Sequence, residues 1–248
     1  MKQDYVSRAM DGFVQALSTI GELKKEGRWD EVIKLIGVSL NRLLSVPPQE
    51  FRELTEAGMF ARLVRSGPAF LVPYKTIVLI ALLKETGDYA ALRAPPRGGR
   101  GWYLRALHLL LDFVAHNERG DYSELLPDVE FLLTVLGDSP LPIRTRLLLM
   151  CHFEREGLFG RVKNEFEAAL QKEPHNVRLL NFGIATFERL SACDEVTLAA
   201  AGLPRAEALA TLDLLILSRV QVETNYPGPC TNASDPNWIR SQPGQSRF

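Results

Sequence analysis

Cysteine is scarce and scattered in this chain: Cys151, Cys193 and Cys230 are an odd number at wide spacing, with no Cys-x-x-Cys. That excludes a disulfide framework and a thiolate zinc site, and it suits a reducing cytoplasm. Charge of one sign is missing as well, since 29 Lys and Arg stand against 30 Asp and Glu. A net charge of -1 gives no bulk attraction to nucleic acid or to an acidic membrane. Long hydrophobic runs are absent too. Thr76 to Leu83 is strongly apolar, but Lys75 and Lys84 close it on both sides, far short of the roughly 20 residues a spanning helix needs. The opening MKQDYVSRAMDGF has no apolar signal core or small-residue cleavage site. Neither His-Glu-x-x-His nor G-x-x-x-x-G-K-[ST] occurs. No cofactor, metal or membrane partner is expected, and the expected location is cytoplasmic.

What the chain does have is helical periodicity, with no stretch that reads as a strand. Val6, Met10, Phe13, Val14, Leu17, Ile20 and Leu23 recur at steps of three and four over residues 4–26, one face of a helix that Gly27 ends. A second helix runs from Trp29 to Leu44, and Pro47-Pro48 stops it and starts a third, weakened at Gly58. Residues 68–86 are the most apolar segment and predict a central buried helix, ended by Gly87. A Pro- and Gly-rich loop covers 94–101. Further helices are expected over 102–116, 122–136, 143–190 in three pieces, and 205–222. The last carries Leu209, Leu212, Ile216 and Val220 on one face and reads as a capping helix. After Thr224 the composition turns to Pro, Gly, Asn and Ser without a period, so residues 223–248 are expected to be a disordered tail.

One short pattern recurs four times: Gly27-Arg28-Trp29, Gly87-Asp88-Tyr89, Gly120-Asp121-Tyr122 and Gly157-Leu158-Phe159. Glycine would take the left-handed conformation that closes one helix, and the aromatic two residues on would plug the corner where the next folds back. The intervals from Gly87 to Gly120 and Gly120 to Gly157 are close to the roughly 34-residue tetratricopeptide period. The stretch from Ile143 to Leu190 carries the fullest version, with Gly157, Phe159, Phe166, Ala169, Leu170, Pro174 and Asn176 near the turn, plug, contact and closing positions of such a repeat. These features predict an all-α fold, a tetratricopeptide-like array of antiparallel helix pairs (an α-solenoid) over residues 1–222.

Asp4-Tyr5-Val6-Ser7-Arg8, Lys24-Lys25-Glu26-Gly27-Arg28-Trp29, and Leu141-Pro142 leading to Phe153-Glu154-Arg155-Glu156-Gly157-Leu158-Phe159 resemble a bacterial family of tetratricopeptide-like helical proteins, a domain of unknown function. The similarity covers roughly residues 4–190. That family has no assigned activity, so the resemblance implies a fold and little else.

Three constellations could carry chemistry. Cys151 and His152 are adjacent, with Glu154 and Glu156 following, but neighbours on a helix point about 100° apart and cannot act as nucleophile and base. His152-Phe153-Glu154 is half of a zinc-deaminase signature whose Pro-Cys-x-x-Cys half is missing. Arg97-Gly98-Gly99-Arg100-Gly101, with Arg93 and Arg105, could wrap a phosphate or an RNA backbone. In a tetratricopeptide stack the first helix of each unit lines a groove. That register places Arg144, Glu154, Arg155, Arg178, Asn181 and Arg189 toward it, where guanidinium forks and an amide suit carboxylates and extended peptide. The polar face of an ordinary amphipathic helix would look the same.

The function expected from these observations is a non-catalytic scaffold or adaptor that holds a protein or peptide partner. A nucleic-acid or phosphate-binding regulator acting through residues 93–105 is the alternative, and an enzyme comes third. Self-association is a further expectation, prompted by the many apolar residues of Thr76 to Leu83.

Overall fold

The computed structural model describes residues 2–95, 98–117 and 122–225, and among them there are helices and turns but no strand. Gly120, Asp121, Arg97, Cys230 and the tail from residue 226 lie outside the described residues. The chain divides into two compact units, one ending at Pro140 and one beginning at Leu141.

In the first unit, α1 (Lys2–Lys25) turns back into α2 (Trp29–Leu44). Gly27 closes α1 at φ +74°, donating to Lys24 O, while Arg28 N–H reaches back to Leu23 O. This is the left-handed stop expected of a glycine at that point. Trp29 begins α2 and is half-buried. The third helix is two pieces, α3 (Pro48–Phe51) and α4 (Glu56–Arg65). The break falls at 52–55 and not at Gly58, because Thr55 caps α4 by accepting from the N–H of Gly58.

A short 3-10 turn, Ala69–Leu71, leads into α5 (Val72–Arg93). Ile77 to Leu83 are 0–6% exposed, because α1, α2, α4 and α6 (Arg100–His116) all pack on α5. That burial removes the motive for self-association through Thr76 to Leu83. It also corrects the second repeat: α5 runs straight through Gly87 and Tyr89. Gly87 is there for contact, not for a turn. A Cβ on it would lie 2.5 and 2.7 Å from Tyr103 Cε1 and Cδ1 of α6, and a Cβ on Gly99 would lie 2.4 Å from Gly87 O. In an open helix Gly→Ala gains about 1 kcal/mol. Gly87→Ala is instead expected to lose about 1–2 kcal/mol, as overpacking does, with chemical denaturation giving the sign.

Tyr122, from the third repeat, sits at φ +67° and meets Tyr74 edge-on at 5.9 Å. It precedes a 3-10 turn, Ser123–Leu125, and not a long helix. Pro127 restricts the chain before it, so α7 (Val129–Leu136) starts later than the periodicity suggests.

In the second unit α8 (Ile143–Arg155) and α9 (Phe159–Leu170) form an antiparallel pair. Gly157, at φ +70°, donates to Glu154 O and Leu158 N–H to Phe153 O, the same corner as at Gly27. Phe159 is buried behind it. The corner recurs where no aromatic signals it: Gly202, at φ +76°, donates to Ala199 O and Leu203 N–H to Leu198 O. Asn176 caps α10 (Val177–Ser191) by accepting from the N–H of Arg178 and Leu179. Asp194 caps the short α11 (Glu195–Ala200), and α12 (Arg205–Asn225) packs along α10.

For α12 the period is right and the face is wrong. Ala208, Leu215 and Val222 are buried, whereas Leu209, Ile216 and Val220 are exposed. Apolar residues on nearly every side of this helix left the pattern unable to choose. A cap needs a polar outer face, which α12 lacks.

Candidate functional site

In the second unit the residues proposed for a groove all lie on α8 and α10. A Glu154–Arg189 pair bridges the two helices, with Arg189 Nε and Nη2 donating to the two carboxylate oxygens at 2.8 and 2.9 Å. Lys172, just past α9, donates to Leu141 O just before α8, so α10 starts beside the start of α8, reaches Glu154 near its own end, and runs in the same direction as α8. The pair joins their C-terminal ends. Arg189 also donates to Ala185 O and Thr186 Oγ1. Hydrogen bonding to Glu154 holds its guanidinium above the ordinary range. It braces the face, and its fork is engaged before any ligand arrives.

Arg155 and Arg178 are exposed, near the end of α8 and the start of α10, and Arg144 is half-buried at the start of α8. Asn181 Oδ1 is buried without a hydrogen-bond donor. Such an acceptor costs free energy until a donor reaches it. Arg146, unremarked in the sequence, is tied to Glu165 of α9 at 2.6 Å. Cys151 is half-buried, and burial, then the charge of Glu154, pushes its thiol up. The thiol is therefore protonated at neutral pH, the wrong state for a nucleophile.

The first unit holds a cluster that the sequence reading passed over. Lys24 of α1 donates to Glu85 at 2.6 Å and to Asp88 at 2.5 Å, and Lys84 donates to the same two carboxylates at 2.9 Å each. Tyr103 Oη donates to Asp88 Oδ1 at 2.8 Å. Lys84 also lies over the Phe131 ring, 5.2 Å from its centroid. Burial opposes the charge on Asp88, but hydrogen bonds from Lys24 and Lys84 outweigh it and hold the carboxyl below its usual range. For Lys84 burial is likewise outweighed by Asp88 and Glu85, which hold it high. Burial and then the bond to Asp88 raise the Tyr103 phenol, which stays protonated. Two cations and two carboxylates neutralise one another, so the cluster clips three helices together and leaves no net charge for a ligand. Its signal was the Lys84-Glu85-x-x-Asp88 spacing inside the most apolar helix.

Arg93, Arg100 and Arg105 serve the fold. Arg100 donates to the carbonyl of Leu136, the last residue of α7, at 3.1 Å and to that of Pro140 beyond it at 2.9 Å. Arg93 pairs with Asp30, and Arg105 donates to Arg52 O and lies over Trp102. Gly98 is packed so closely that a Cβ would lie 2.2 Å from Ala90 O. Among the described residues no group of three or more His, Cys, Asp or Glu could hold a metal ion. No described helix is long and apolar enough to cross a membrane. Comparison of the chain with family models, curated proteins and solved structures gives no match.

Proposed function

We propose that the protein is a non-catalytic adaptor whose second unit is a tetratricopeptide-like pair with a following first helix, binding an acidic, extended peptide across α8 and α10. The observation that carries this reading is the Glu154–Arg189 bridge. It ties the far ends of two helices that run in parallel, as the groove-lining helices of such a repeat do. The matching starts of those helices carry Arg144 and Arg178, 34 residues apart where the bridged pair is 35 apart, both close to the tetratricopeptide period. Arginine forks recognise carboxylates bidentately, and the amide acceptor of Asn181 suits a peptide N–H. Arg155 extends the basic edge, and Arg189 holds the frame. A cytoplasmic location belongs to the same reading.

A displayed library of random peptides selected on the full chain tests it. Acidic sequences are expected to be enriched. A synthetic peptide from that pool should bind at least tenfold more weakly to Arg144→Glu/Arg178→Glu, a loss of about 1.4 kcal/mol or more, with circular dichroism unchanged. Arg178→Glu and Arg155→Glu alone, both at exposed positions, separate lost binding from lost folding. No enrichment of acidic peptides, or equal binding by all variants, overturns the proposal.

A further inference from the structure

The exposed side of α12 is an apolar feature that the groove does not use. Leu209, Ile216, Val220 and Leu217 follow one another along it, 43%, 41%, 54% and 59% exposed, on the side away from buried Ala208, Leu215 and Val222. Together they leave on the order of 350 Å² of apolar surface on one helix, a patch of the size that marks an interaction site. Asp213 lies within the same stripe.

The charges beside the stripe say what fits it. Helical geometry, at about 100° per residue, puts Arg205 and Glu223 on the same flank, one near each end of the helix. Both are exposed. A second α12 laid parallel about a two-fold axis would put this flank on opposite sides of the contact, with Arg205 level with Arg205 and Glu223 with Glu223, so that no Arg205 meets a Glu223. Laid antiparallel about a two-fold axis, it brings each Arg205 to the other copy's Glu223, and Leu209 to Val220. The flank is self-complementary in one direction only, which is how flanking charges set helix orientation in coiled coils. A two-fold contact uses the same patch on both copies.

We propose that α12 is the interface of an antiparallel homodimer, in which the exposed stripe of one copy packs on that of a second. The patch is smaller than the roughly 800 Å² per partner of a standard stable interface, and Asp213 sits among its apolar residues. The dimer is therefore reversible and forms at micromolar concentration.

Sedimentation equilibrium of the full chain over a series from about 1 to about 200 µM, the range in which so small an interface should dissociate, gives the test. The apparent mass is expected to rise from 27.8 kDa toward twice that value. Ile216→Glu, at an exposed position, should hold the chain monomeric throughout. Arg205→Glu and Glu223→Arg should each weaken the dimer tenfold or more, and the double variant should restore it. Both substitutions suit the helix dipole, but Glu223→Arg also removes the Arg219–Glu223 pair within α12, so circular dichroism of each single variant must match the wild type before a weakened dimer is assigned to the interface. The decisive arm mixes the two single variants. Their mixture should dimerise where each alone does not, because the charges that meet at both ends of the mixed helix pair are of opposite sign. A monomer at the highest concentration overturns the proposal, as it would if another part of the chain covered the stripe. A dimer indifferent to all these variants overturns it too.

Discussion

Replacing Phe166 by alanine is expected to lower the unfolding free energy by roughly 3–5 kcal/mol, the range for a fully buried aromatic. Phe166 is 1% exposed and meets Phe187 edge-on, with centroids 5.7 Å apart. Its ring also fills the hollow at Gly183, where a Cβ would lie 2.3 Å from Cζ and 3.1 Å from Leu215 Cδ1. α9, α10 and α12 thus converge on one side chain. They cannot easily close over the space it leaves, because Arg146–Glu165 and Lys163–Glu207 hold α9 to its neighbours. Urea denaturation followed by near-ultraviolet circular dichroism measures the loss. Phe166→Leu keeps most of the volume and is expected to cost clearly less. Equal costs for the two would show that ring shape, and not the cavity, sets the stability of this junction.

The second large effect is Asp88→Ala, expected to cost roughly 2–3 kcal/mol. Breaking a buried ion pair costs about 3–5 kcal/mol. The value here is set lower because the side chains of Lys24, Lys84, Glu85 and Asp88 remain 16–22% exposed and water screens them. The loss comes from Lys24, Lys84 and the Tyr103 hydroxyl, which would share one remaining carboxylate. The pH dependence follows from the directions of the shifts. Asp88 has a lowered pKa, so its contribution is complete above the unfolded carboxylate value of about 4 and disappears as pH falls through the lower folded value. Lys84 has a raised pKa, so its contribution is complete below about 10.4 and disappears as pH rises through the higher folded value. Stability of the wild type should therefore fall off in acid more steeply than that of Asp88→Ala. Denaturation midpoints between pH 2 and pH 6 would show it, and parallel profiles would remove Asp88 from the acid transition.

Glycine illustrates how much of the fold could be read in advance. Gly27 and Gly157 do what a glycine before a turn aromatic suggests, since both take φ near +70° with the same pair of returning hydrogen bonds. Gly87 carries the same local signal and does the opposite, because Tyr103, 16 residues further along, needs the space. The Gly202 corner carries no aromatic and was invisible. Local sequence reports that a residue is permissive, but which use is made of the permission depends on what packs there.

The candidate site divides in the same way. Guanidinium and amide groups at helical spacing marked one polar face on α8 and one on α10, and that much needed only the 3.6-residue period. Only the packing of both helices against α9 set the two faces side by side. It also turned Glu154 and Arg189 from two prospective ligand contacts into a brace.

By itself, the sequence determined that this chain is helical, where most of its helices lie and that its apolar residues suffice for a core, because periodicity, caps and helix-stopping residues act over a few neighbours. Tertiary structure alone decided which face of α12 is buried, that Lys24 meets Glu85 and Asp88, and that Arg100 and Arg105 hold carbonyls of their own chain. Those outcomes depend on contacts between residues tens of positions apart, and the pattern of any one segment carries no record of its partner.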